Sequence, residues 1–233
     1  MSSKEIEYPY LKSSVIEQES INLLSAYNKK MGLKLSTPVP VFDIIEYLGY
    51  DIDFSKDGIY QGTDFQGGTH IEEKTVVINE NIIGYKGWMH FTAAHEIGHI
   101  VLHVPIHKSQ NVEKESDQKI ISRKVAFFEG SKKELKELQA DKFAAFLLMP
   151  TELIKKTFFK KYSKPVNLRK KRILDLFFRK PAFVKGYQIA EEIIRIGKFD
   201  NVSKMAMLNR LIGMRLVKGL SYQKASPRNE KRS

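Results

Sequence analysis

Apolar positions recur along the chain in two rhythms, one helical and one alternating. Ile16, Ile21, Leu24 and Tyr27 lie near helical spacing, which predicts an amphipathic helix over 15–31 that stops at Gly32. A second short helix is expected over 41–48, ended by Gly49, and the run 50–54 alternates as a strand does. Residues 57–79 are rich in glycine, threonine and β-branched side chains. Two or three short strands are expected there, the last being Thr75-Val76-Val77-Ile78-Asn79. Gly84 and Gly87 mark a loop, and 88–104 reads as a helix closed by Pro105. Residues 106–130 are mostly polar and take no assignment. Ser131 and Glu134 have the spacing of a capping box, opening a helix that runs to Met149 and stops at Pro150. Further helical stretches follow at about 151–162, 167–179, 187–197 and 203–212. The tail from Ser221 is polar and basic and is expected to be disordered.

Strands in front and helices behind predict an α+β fold with a small, mostly antiparallel sheet and a helical C-terminal region. Composition narrows the setting. The longest unbroken apolar run is 143–149, far short of the roughly 20 residues a membrane span needs, so no membrane partner is expected. The first residues carry no apolar core of the kind a secretory signal has. Cysteine is absent, which excludes a disulfide framework and thiolate-bound zinc and fits a reducing cytoplasm. Charge divides the chain at Pro150. Residues 1–150 carry 17 Lys+Arg and 21 Asp+Glu, a net of −4, whereas residues 151–233 carry 22 and 6, a net of +16. The expected organisation is therefore a domain over 1–150, a basic helical region over 151–220 and a tail over 221–233. A basic block serves nucleic acid, an acidic partner or a solvated surface, and composition does not choose among them.

The chemistry lies in His95-Glu96-Ile97-Gly98-His99, the pattern HExxH. Residues four apart share one helical face, so the two imidazoles can bind one metal ion. Glu96 projects about 100° around the helix from His95, within reach of a water on that ion without being a ligand. Zinc would lower the pKa of such a water towards about 7, and Glu96 would take its proton during attack on a carbonyl. Phe91, Ala94, Gly98, Val101 and Leu102 form an apolar stripe that includes His95, with His99 at its edge. Buried neutral histidines need partners, and a metal supplies one.

A catalytic zinc needs a third protein ligand. The later helix offers Glu137 and Asp141, like charges four residues apart on a stripe with Ala144 and Leu148. A buried carboxylate pair needs positive charge nearby. Zinc on Glu137 would supply it, and Asp141 would accept the free N–H of a ligand histidine. The alternative is an ordinary surface cluster neutralised by Lys133, Lys136 or Lys142.

These residues resemble a known family. HExxH followed by Glu-x-x-x-Asp on a later helix is similar to the gluzincin arrangement. Phe91-Thr-Ala-Ala-His-Glu-Ile-Gly-His-Ile-Val-Leu-His103 and Glu137-Leu-Gln-Ala-Asp-Lys-Phe-Ala-Ala-Phe-Leu-Leu-Met-Pro150 resemble the signature of ImmA/IrrE-type zinc metallopeptidases, as does the strand 76–79 before the helix. The resemblance covers roughly 20–150. It implies a zincin-like domain in a cytoplasmic bacterial, phage or mobile-element protein that cleaves helix-turn-helix repressors and so derepresses genes. It also implies His95, His99 and Glu137 as metal ligands and Glu96 as catalytic base. Zinc is the implied cofactor, though two histidines and a carboxylate also suit manganese or another divalent ion. The chain departs from the family in a longer stretch over 104–136 and in Trp88, where a basic residue is expected.

His103 extends the motif to HExxHxxxH. It still lies on the helix, about 10 Å along the axis from Glu96, so direct ligation is not expected and interaction with the helix C-terminus is. His90 and His107 are expected at the surface and His70 in the sheet. In the C-terminal region, a helix holding Gln188, a short break and a Ser203-capped helix have a helix-turn-helix rhythm. DNA contact is expected to fall on Arg169, Lys170, Lys171, Arg172, Lys204 and Arg210, the alternative being a helical support with a solvated basic face. The reading is a zinc-dependent endopeptidase whose substrate is a regulatory protein. The alternatives are a DNA-binding regulator with a structural or vestigial metal site and a toxin–antitoxin-like partner-binding protein.

Overall fold

The computed structural model describes residues 8–56, 65–109, 120–124, 134–169 and 182–222. The chain divides into two compact units, 1–148 and 149–233.

In the first unit, the apolar run after Lys74 forms the inner strand of a sheet. Its elements in chain order are α1 (Ser13–Met31), α2 (Val41–Tyr47), β1 (Asp51–Ser55), β2 (Phe65–His70), β3 (Thr75–Asn79), α3 (Lys86–Leu102), α4 (Val104–Ser109), β4 (Ile120–Lys124) and α5 (Leu135–Leu148). The strand order is β1-β3-β2-β4. β1 pairs with β3 in parallel, while β2 runs antiparallel to both β3 and β4. The sheet is thus small and mostly antiparallel, within an α+β fold. Val76, Val77, Ile78 and Asn79 are all buried, so β3 is covered on both faces, as its unbroken apolar run requires. α3 packs on β2, β3 and α2 and, most extensively, on α5, which also packs on α1. Ile16, Tyr27, Ile44, Ile45, Ile78, Ile97, Phe143 and Leu147 make up much of this core.

Two expectations for α3 are corrected. Every residue from Thr92 to Ile100 is buried, so the helix is enclosed around its circumference and carries no single stripe. Nor does Pro105 close it. α3 ends at Leu102, and Pro105 sits in the first turn of α4, where its missing N–H is no loss. The strand β4 falls within the stretch left unassigned. Ser131 and its capping box lie outside the described residues.

The second unit contains α6 (Thr151–Lys161), β5 (Val166–Asn167), α7 (Ala182–Gly197), α8 (Lys204–Gly213) and β6 (Val217–Lys218). α7 packs against α6 and α8, and β5 pairs with β6 in parallel. Phe158, Ile193, Phe199, Met207, Leu208 and Leu211 form its core. Ser203 caps α8 by accepting from the Ala206 N–H at 3.2 Å. α7 begins before Tyr187, earlier than its period suggests. Where a helix over 167–179 is expected, the first residue lies in β5 and 170–181 are outside the described residues, as is the tail from 223. No helix among the described residues is long and apolar enough to cross a membrane.

Candidate metal centre

Two elements, α3 and α5, bring the site together by packing closely on one another. At their closest approach a side chain on Gly98 would meet the backbone of Ala140: its Cβ would stand 3.1 Å from Ala140 Cα and 3.2 Å from Ala140 O. That contact lets the first half of α5 face the HExxH turn of α3. Among the described residues, His95, His99 and Glu137 form the set that can hold a metal ion.

The ring nitrogen His95 Nε2 lies 3.2 Å from Glu137 Oε2 and 3.0 Å from His99 Nε2, while His99 Nε2 lies 3.3 Å from Glu137 Oε1. Ligand atoms about 2.0 Å from a tetrahedral ion stand about 3.3 Å from one another, so the spacing is that of a metal's donor set. The protonation pattern agrees. Asp141 Oδ1 stands 2.9 Å from His95 Nδ1, and a carboxylate oxygen accepts. His95 therefore carries its proton on Nδ1 and turns the Nε2 lone pair towards the Glu137 carboxylate. Acceptors converging in a buried space call for a cation between them, a metal ion or an added proton. The donor set of two imidazoles and a carboxylate fits zinc, manganese or another divalent ion.

Burial keeps the neighbouring rings neutral. It pushes the His99 pKa down to about 3 against the opposing pull of Glu137, and that of His103 down to about 4 against the pull of Gln139. His103 is the C-cap of α3, as its place in the sequence suggests, but its side chain turns inward. It is fully buried, with Nδ1 2.9 Å from His99 Nδ1 and Nε2 2.9 Å from Gln139 Oε1. His107 is likewise buried rather than exposed, and its Nε2 pairs with the Tyr8 hydroxyl. The Tyr8 pKa is raised to about 12, by burial first and then by Glu134 and Glu137, so this phenol stays protonated. His70 lies on β2 beside Glu73, and His90 bonds through Nδ1 to the Lys86 carbonyl. Neither joins the metal set.

Glu96 has no exposed surface. The Thr69 hydroxyl on β2 donates to its Oε2 at 2.9 Å. β2 comes this close because Gly67 has no side chain: a Cβ there would stand 2.5 Å from Thr92 Cγ2 and 3.3 Å from Glu96 Oε1. Trp88 donates its indole N–H to Gln66 Oε1 at 3.3 Å, tying the start of α3 to the same strand. Thr69, Gln139 and Tyr8 were missed by sequence reasoning. Their partners lie far along the chain, and no local spacing marks them.

Of the six basic residues named for nucleic acid, Arg169, Lys204 and Arg210 are described. Lys204 is 2.9 Å from Glu191 Oε1. Arg210 donates to Met149 O at 3.2 Å and to Thr151 Oγ1 at 2.6 Å, holding the start of α6. The backbone N–H of Arg169 donates to Asn167 Oδ1 at 3.0 Å, and Lys170, Lys171 and Arg172 lie outside the described residues.

An α+β domain whose HExxH helix pairs its two histidines with a glutamate from the next long helix is the architecture of a zincin-like metallopeptidase. The model of the IrrE N-terminal-like domain, a peptidase family, matches residues 45–172, more than half of the chain, and the chain belongs to that family. No curated protein matches the chain significantly. Family and site together support a function of the metallopeptidase type.

Proposed function

We propose that this protein is a metal-dependent endopeptidase of the cytoplasm that cleaves a regulatory protein, a helix-turn-helix repressor by family resemblance. The observation that carries the reading is the convergence of His95, His99 and Glu137 beside an enclosed Glu96. A divalent ion bound there supplies Lewis acidity to water and to a peptide carbonyl. Glu96, oriented by the Thr69 hydroxyl, accepts the proton of the attacking water and delivers it to the leaving amine as the C–N bond breaks. Asp141 holds His95 in the tautomer that faces the ion. A structural site has no use for a base, so the intact Glu96 favours catalysis over a vestigial role.

The test is cleavage of a purified helix-turn-helix repressor, read on gels and by mass spectrometry. Glu96→Gln is expected to keep the metal and lose cleavage by about 10²-fold or more. Glu137→Ala is expected to lose the metal itself. Cleavage by Glu96→Gln protein would rule out the assigned base, and undiminished metal in Glu137→Ala protein would remove that ligand.

The charge excess after residue 150 supports a second role, contact with DNA. Affinity for duplex DNA is then expected to fall steeply between about 50 and 200 mM salt. No measurable binding at the lower salt would leave the second unit a helical support.

A further inference from the structure

The His99 ring has a partner on each side, and the far partner is set by the N-terminal segment. The carbonyl of Pro9 can only accept, and it takes a hydrogen bond from Gln139 Nε2 at 2.8 Å. That bond fixes the Gln139 amide with its oxygen turned to His103 Nε2, 2.9 Å away. An amide oxygen also only accepts, so His103 Nε2 carries the proton and Nδ1 of the neutral ring is an acceptor. His99 Nδ1, 2.9 Å from that nitrogen, must then donate. Its own Nε2 is left with a lone pair, 3.0 Å from His95 Nε2 and 3.3 Å from Glu137 Oε1.

We propose that Pro9, Gln139 and His103 form a positioning relay that holds His99 in the Nδ1–H tautomer, ready to ligate a metal through Nε2. The relay runs parallel to the Asp141–His95 bond, so each ligand histidine has its own director: a carboxylate for one, an anchored imidazole for the other. The reverse arrangement is penalised at its far end. A proton on His99 Nε2 would make His103 Nδ1 the donor and turn the Gln139 amide nitrogen to His103, setting two carbonyl oxygens against each other at Pro9. The anchor is itself held. The Tyr8 ring stands edge-on to His103 with centroids 5.1 Å apart, its hydroxyl is bonded to His107, and Lys136 Nζ lies 5.7 Å from its centroid. His103 and Gln139 touch neither substrate nor metal in this scheme, and their effect passes through His99.

The inference rests on the reading of His95, His99 and Glu137 as a metal site, and the experiment separates the two. Long-range proton–nitrogen correlation spectra of the 15N-labelled, metal-free full chain show which nitrogen of each ring is protonated. Zinc affinity is read by competition with a chromophoric chelator. The wild type is expected to show His99 protonated at Nδ1 and His103 at Nε2. His103→Leu is expected to bind zinc about 10- to 100-fold more weakly. Gln139→Leu, two hydrogen bonds removed from His99, is expected to give a mixed His99 tautomer and a smaller loss in the same direction, which a packing role alone would not produce. His99 protonated at Nε2 in the wild type overturns the relay and needs no variant to fold. Unchanged zinc affinity in both folded variants overturns it too, with the metal site left standing. A wild type that takes up no zinc removes the metallopeptidase reading, while the ring assignment still decides the relay.

Discussion

A carboxylate as enclosed as Glu96 needs a fixed donor, and Thr69, itself without exposed surface, provides one. Thr69→Val keeps the shape and removes the hydroxyl. The expected cost is about 1–3 kcal/mol of unfolding free energy, because a buried carboxylate oxygen loses the Thr69 donor. Thr69→Ser keeps the donor and should recover most of that loss. Urea unfolding of the two variants reads the difference, and a Val variant as stable as the wild type would mean that Thr69 only fills space. This residue also shows what the sequence holds and what it does not. His95, Glu96 and His99 are legible because a helix fixes what four residues of separation mean. Thr69 lies 27 residues from Glu96, and Gln139 lies 36 from His103. Their partnerships exist only after a sheet and a second helix have docked, so no spacing rule reaches them.

Between elements, the decisive contact is Gly98 against Ala140 and Phe143, with all three nearest atoms at 3.1–3.2 Å from where a Cβ would stand. Two effects compete on substitution. Replacing glycine within a helix gains a few tenths of a kcal/mol for valine, up to about 1 for alanine. Forcing a branched side chain into a closed contact costs about 1–3 kcal/mol. For Gly98→Val the second effect wins, because the facing atoms on α5 are largely backbone and have little room to yield. The expected result is a net loss of about 1–2 kcal/mol in urea unfolding. Zinc affinity should fall with it, since His95 and His99 ride on one helix and Glu137 on the other. Wild-type affinity in a folded Gly98→Val protein would show that the ligands do not depend on this spacing. Helical periods made α1, α2, α5 and α8 readable to within a few residues. The end of α3 was placed two residues late, because a proline in the first turn of a new helix looks like the stop of the old one. β4 was hidden for another reason: Ile120 and Ile121 are adjacent, and the polar residues around them show no alternation to mark an edge strand.

At the scale of the molecule, the metal's donor set lies wholly in the first unit, since His95, His99 and Glu137 all precede residue 149. A ligand that binds only the folded form stabilises what it binds, by about 2.7 kcal/mol at a free concentration 100 times its dissociation constant. The helices that carry the donors, α3 and α5, should therefore gain amide protection when zinc is added and lose it when a chelator removes the ion. Protection in α6, α7 and α8 should respond little, because their core is built from their own side chains: Phe158, Ile193, Met207 and Leu211 are buried without any part in the metal site. Hydrogen exchange of the full chain, with and without chelator and read peptide by peptide, makes the comparison within one sample. A loss confined to the first unit would make the ion a local brace for α3 and α5. An equal loss in both would show that the two units open as one cooperative body, and the division near residue 149 would then be one of sequence and charge rather than of stability.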